Sequence, residues 1–243
     1  MQSNNPILTR AETYANYEKP MSIQGTIGKS VLLTAVSAAV GLAVFFYTIL
    51  TMQAGIAYMS ALVGGIGGFI LALIITFKSN STRSLAIPYA LFEGAFLGGV
   101  SFIFQMKYPG APLQALLATF VTTFIMFALY QKRIIRATEK FKAVVISASM
   151  AIAVVFLAQF VLSLAFSSSI PYVFESNWLG IGFAAFVAVI ASLNLILDFD
   201  LIENAVAQQA PETFEWTCAV ALLATLVWMY FSFLRLIGLI SND

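Results

Sequence analysis

The chain has 243 residues, of which 60% are hydrophobic and 9% charged, with mean hydropathy +0.92 and net charge +1. A soluble domain carries about 25% charged residues, so the composition is that of an integral membrane protein, and the balanced charge offers nothing to a nucleic acid. There is no histidine, and Cys218 is the lone cysteine, which excludes His-ligated zinc or haem, Ser-His-Asp catalysis, an internal disulfide and a multi-cysteine metal site.

Residues 1–28 are polar, with Arg10, Glu12, Glu18 and Lys19, and no signal-peptide core precedes Ser30. They read as an uncleaved cytoplasmic tail ahead of a transmembrane domain over 29–243. Seven apolar stretches of spanning length follow, at roughly 30–52, 55–77, 85–105, 113–131, 143–166, 178–198 and 216–238. The predicted fold is an all-α membrane protein, a seven-transmembrane-helix bundle with short connections. Trp178 and Trp216 fall at span edges, as interfacial anchors do.

Loop charge gives the orientation. Arg10, Lys19, Lys29, Lys78, Arg83, Lys132, Arg133, Arg136, Lys140 and Lys142 lie on one side, against Lys107 and Arg235 on the other. The excess of ten over two predicts a cytoplasmic N-terminus. Lys78 and Arg83 fit that placement, and also fit a role as counter-ions at the cytoplasmic mouth. Arg235, near the end of span seven, is expected to snorkel to the interface.

Small residues recur one turn apart: Gly64, Gly65, Gly67 and Gly68 in span two, Ala90, Gly94 and Gly98 in span three, and Gly180, Ala184, Ala188 and Ser192 in span six. That pattern predicts close helix packing in lipid.

The carboxylates point to function. Five of the 11, Asp198, Asp200, Glu203, Glu212 and Glu215, fall between the end of span six and the start of span seven, read as an acidic connector. No Lys or Arg occurs from Ala143 to Leu234, so the cluster is expected to lack a nearby cation and to bind cations or protons. Asp198 lies four residues after Asn194, on the same helical face and toward the bundle; Asp200 and Glu203 take the opposite face. Taking a carboxyl group out of water favours its neutral form, so Asp198 is the leading candidate for a proton-sensitive group. Glu93, in the middle of span three, either lines an ion path or is a hydrogen-bonded packing device.

Catalytic readings fail on residue type. Span seven has no lysine for a retinal Schiff base, and there is no Gly-x-Ser-x-Gly motif, no Gly-x-Gly-Asp setting around Asp198 and no phosphate-cradling glycine loop. No enzymatic activity, cofactor or bound metal is expected.

The chain resembles the Bax-inhibitor family, also called the transmembrane Bax-inhibitor-motif family. Leu197-Asp198-Phe199-Asp200-Leu201-Ile202 is similar to the family's Tyr-Asp-x-x-x-Ile pattern after helix six, and Tyr230-Phe-Ser232-Phe-Leu-Arg235-Leu to its Tyr-Leu-Asp-x-Ile-Asn-Leu pattern in helix seven. The Asn5-Pro-Ile-Leu-Thr-Arg10 opening and the Glu215-Trp216 pair resemble a bacterial branch, implying a bacterial plasma membrane. The resemblance implies a pH-dependent calcium leak, gated by two aspartates sharing a proton near the cytoplasmic ends of helices six and seven. Asp198 matches the first; the second falls on Ser232, which cannot ionise. If the connector folds as a hairpin at Ala210-Pro211, Glu203 and Glu215 come level, and either is a candidate replacement. The expected partners are the bilayer and calcium, as permeant ion, or protons. Two other classes remain open: a non-conducting regulator that binds a membrane protease or other membrane protein, and a proton-coupled carrier using Glu93 and Asp198.

Overall fold

The structure, a computed structural model, describes residues 19–78, 81–166 and 176–241. The Asn5 to Arg10 motif lies outside them. Seven helices are long and apolar enough to cross a membrane: α1 (Ile23–Thr51), α2 (Ala54–Phe77), α3 (Thr82–Lys107), α4 (Ala111–Gln131), α5 (Glu139–Phe166), α6 (Trp178–Ala207) and α7 (Phe214–Ile240). No β-strand occurs among the described residues. This is an integral, multi-pass all-α membrane protein.

Two boundaries differ from the sequence reading. α1 begins at Ile23 rather than near residue 30, because Ser22 caps it, accepting a hydrogen bond from the Gly25 N–H at 2.9 Å. The polar segment 1–28 therefore includes the first helical turn and a half. α6 runs on to Ala207, so Asp198, Asp200 and Glu203 stand on a helix, and the connector shrinks to 208–213. Nothing in Asn194–Ala207 breaks a helix: the stretch has no glycine or proline.

α7 is the hub, packing against α1, α3, α4 and α6, whereas α5 lies at the rim and leans mainly on α6. The starts of α1, α3, α5 and α7 and the ends of α2, α4 and α6 share one edge. This basic edge gathers the α4–α5 loop, Lys29, Lys78 and Arg83.

Side chains are sorted by size rather than by polarity, as expected where lipid is as apolar as the core. The buried face of α1 is Thr26, Ser30, Leu33, Ser37, Gly41 and Thr48, while Leu50, Phe77, Phe124 and Met150 are exposed. Hydroxyls that turn inward bond their own helix: Ser30 donates to the Thr26 carbonyl at 2.8 Å and Thr48 to that of Val44 at 2.8 Å. The glycines make α1, α3 and α2 a tightly apposed trio. A Cβ on Gly94 would fall 2.5 Å from the Ser37 carbonyl oxygen of α1, and one on Gly98 would fall 2.5 Å from that of Gly41. On the other flank, Gly64 meets the backbone of Phe92 and Phe96, and Gly68 makes room for the Glu93 side chain. Gly180, Ala184, Ala188 and Ser192 are buried as well.

Gly94→Val should lower stability in detergent by about 1–3 kcal/mol, the usual cost of overpacking, read as a drop in Tm, whereas Gly28→Ala, with nothing within 4 Å of the new methyl and a better helix former in α1, should hold or raise Tm.

Candidate functional site

The acidic group at the ends of α6 and α7 does not lack cations. They arrive from other helices along the basic edge. Glu203 accepts from the Tyr130 hydroxyl at the end of α4 and pairs with Arg133 at 2.5 Å. Arg133, just past the Lys132 cap of α4, has φ 56°, a left-handed conformation uncommon outside glycine. Asp200, one face away, pairs with Lys142 of α5 at 2.9 Å and accepts from Asn204 at 2.8 Å. Glu215, in the first turn of α7, pairs with Lys29 of α1 at 2.5 Å and accepts from the Ser22 N–H at 2.7 Å; Glu212 stands 3.6 Å from the same lysine. The sequence expectation of an unneutralised cluster is thus overturned. No lysine or arginine is close along the chain, but the folded edge supplies Arg133, Lys142 and Lys29.

The same geometry overturns the expected carboxylate pair. Glu203 faces α4 and Glu215 faces α1, so neither serves as a second acid for Asp198. Lys78 and Arg83 are exposed and make no ion pair with Asp198 among the described residues.

Asp198 differs from the other four. It points to α7, where the Thr225 hydroxyl bonds its carboxyl group. Its Oδ2 is buried and has no hydrogen-bond partner among the described residues, and no cation there pairs with it. Asn194, one turn deeper, is occupied elsewhere: its amide donates to Ser149 of α5 at 2.9 Å and to the Ile190 carbonyl at 2.8 Å. The residue level with Asp198 is Thr225, not Ser232. Ser232 lies seven residues further along α7, about 10 Å, and its buried hydroxyl donates to the Trp228 carbonyl at 2.7 Å. The antiparallel register agrees, since Ser192 meets Met229 across the same seam. Counting connector residues from a motif cannot find Thr225, because α6 continues as helix beyond Asp198.

Glu93 does not meet Asp198. It is half-buried at the α2–α3 seam against Gly68, and the Tyr89 hydroxyl one turn before it bonds its carboxyl group. Of its two readings, the packing device has the nearer contacts. Arg235 turns toward aromatic rings of two other helices. Its guanidinium lies 5.4 Å from the Phe156 ring of α5 and 5.5 Å from the Phe183 ring of α6, a cation–π setting inside the bundle. Tyr230 and Ser101 tie α7 to α3 between these two levels, at 2.7 Å.

Chemically, the edge combines neutralised acids, which join helices, with one carboxyl group in reach of a hydroxyl and short of one partner. A buried polar oxygen of that kind is costly to leave without a partner.

The sequence model of the family described as Bax inhibitor 1 like matches residues 5–242. No curated protein and no solved structure matches the chain.

The two kinds of ion pair should separate in stability measurements. Lys29 and Glu215 are 17% and 3% exposed, Arg133 and Glu203 55% and 43%. Glu215→Gln should cost about 3 kcal/mol, as when a buried pair loses one partner, and Arg133→Gln far less, because solvent screens an open pair, by chemical unfolding in detergent.

Proposed function

The chain belongs to the Bax inhibitor 1-like family, and from that membership and the surroundings of Asp198 we propose that it is a pH-sensitive leak channel for calcium or other cations. The observation that carries this reading is the contrast at the basic edge. Four of the five acids of the α6–α7 hairpin have a cation, and Asp198 has a hydroxyl and a buried oxygen without a partner among the described residues. With a proton, Asp198 forms a neutral contact with Thr225 that suits an apolar seam. Without it, the seam holds a charge that needs a counter-ion, and a hydrated cation is the available one. Asp198 is then the gating and ion-binding group and Thr225 its partner across the gate. Glu203, Asp200 and Glu215 hold the helices around it, and calcium is a permeant ion rather than a resident cofactor. The positive-inside rule supports a cytoplasmic basic edge, and the resemblance to a bacterial branch supports a bacterial plasma membrane.

In proteoliposomes, wild-type calcium flux should change across about pH 5 to 8, a range a desolvated carboxyl group reaches. Asp198→Asn should give flux that no longer varies with pH, and Thr225→Val should shift the profile without abolishing it. Matching profiles for wild type and Asp198→Asn would reject the role of Asp198. Liposomes without flux at every pH would favour the non-conducting regulator, and saturable uptake lost in Glu93→Gln the proton-coupled carrier.

A further inference from the structure

The segment before α1 packs over the ends of α6 and α7, outward of Asp198. Ala205 lies seven residues after Asp198 on α6, and Cys218 seven residues before Thr225 on α7. Seven residues is close to two turns, so Ala205 and Cys218 continue the Asp198 and Thr225 faces about 10 Å outward. Between them sits the side chain of Met21. It is 4% exposed and packs with Ala205 and Cys218, lined by Ile202, Val206, Ala210 and Phe214.

Met21 belongs to no helix. Four residues, Lys19 to Ser22, cross the mouth of the α6–α7 hairpin as a strap. The Met21 N–H donates to the Ala210 carbonyl at 2.8 Å, and the Glu212 N–H to the Lys19 carbonyl at 2.8 Å. Pro20 and Pro211 stand opposite each other in this antiparallel bridge. The Ser22 N–H reaches the Glu215 carboxylate, and Gly25 has no side chain to obstruct that carboxylate, against which a Cβ would clash. Lys19 and Pro20 are exposed to solvent. The strap is thus held by a short backbone bridge to the 208–213 connector, one capping carboxylate and one buried methionine.

We infer that Met21 is a removable plug on the aqueous route to Asp198. With the strap seated, water and ions from the basic edge are shut out of the α6–α7 cleft. With the strap lifted, they enter past Cys218 and reach the carboxyl group. The plug controls access, and it operates whether or not ions then cross the membrane, so it can be tested apart from conduction.

Cys218, the only cysteine in the chain and 1% exposed beneath Met21, is a built-in reporter. The directly opposed prolines suit a lock: they form a non-hydrogen-bonded antiparallel pair, the closer of the two pair types, and neither has an N–H to lose. In full-length protein carrying Pro20→Cys and Pro211→Cys, maleimide modification is read at Cys218 by peptide mass. Oxidising the pair should slow it by about tenfold or more relative to the same protein reduced, as expected when a local opening is suppressed. Met21→Gly, kept to preparations that remain monodisperse, should speed it by a similar factor. Equal Cys218 rates in the oxidised and reduced pair would overturn the plug. Calcium flux measured on the same samples separates the two ideas: labelling that follows the lock, with no flux in either state, leaves the plug standing and removes the channel.

Discussion

A charge near the edge of a bilayer must find its counter-charge on another helix, because neither the chain next to it nor the lipid beside it offers one. That requirement shapes the basic edge. The α6–α7 hairpin carries five acids over a long stretch with no lysine or arginine, so its neutralisation has to come from α1, the end of α4 and the start of α5. Lys29, Arg133 and Lys142 supply it, and in doing so they fix where the hairpin stands. The rim helix α5, which otherwise leans mainly on α6, is joined to it at this edge by Lys142 and deeper by Ser149. Asp198 is distinguished only once these pairs are accounted for.

Most of the architecture is legible in the sequence because spanning helices are set by length and hydropathy, which are local. All seven spans, the small-residue seams and the gathering of the basic loops at one edge follow from that. What escapes is non-local. The absence of cations near the acids along the chain says nothing about cations that folding brings close, so the cluster reads as bare when four of its five members are paired. The acidic stretch reads as a connector because it is polar, yet it has no helix breaker, and α6 continues through it. That extension changes the register with α7, which moves the level of Asp198 from Ser232 to Thr225. Arg235 reads as an interfacial cation because its position near a span end is visible, while Phe156 and Phe183, on two other helices, are not visibly its neighbours. The Met21 contact has no sequence signal: a methionine in a polar tail becomes buried only where two distant helix ends leave a gap of its size.

Residue size also sets how closely the helices of the bundle approach one another. Glycines on α2 and α3 bring backbones together where no side chain can yield, so α1, α3 and α2 form a wall with little freedom to slide. The α6–α7 seam mixes small and longer groups, with Ala191 and Ser192 beside Leu195 and Met229, and it is joined to the wall through side chains such as Tyr230 and Ser101.

The two halves of the clasp on that hairpin differ in how much solvent they see, and this gives them different responses to ionic strength. At physiological salt the Debye length is about 8 Å, so counter-ions weaken the open Arg133–Glu203 contact, whereas the Lys29–Glu215 contact, sealed under the strap, is largely insulated from them. Raising salt therefore loosens α6 from α4 before it loosens α7 from α1. The dissolved ions themselves thus help to set how firmly α6 is held to its neighbour.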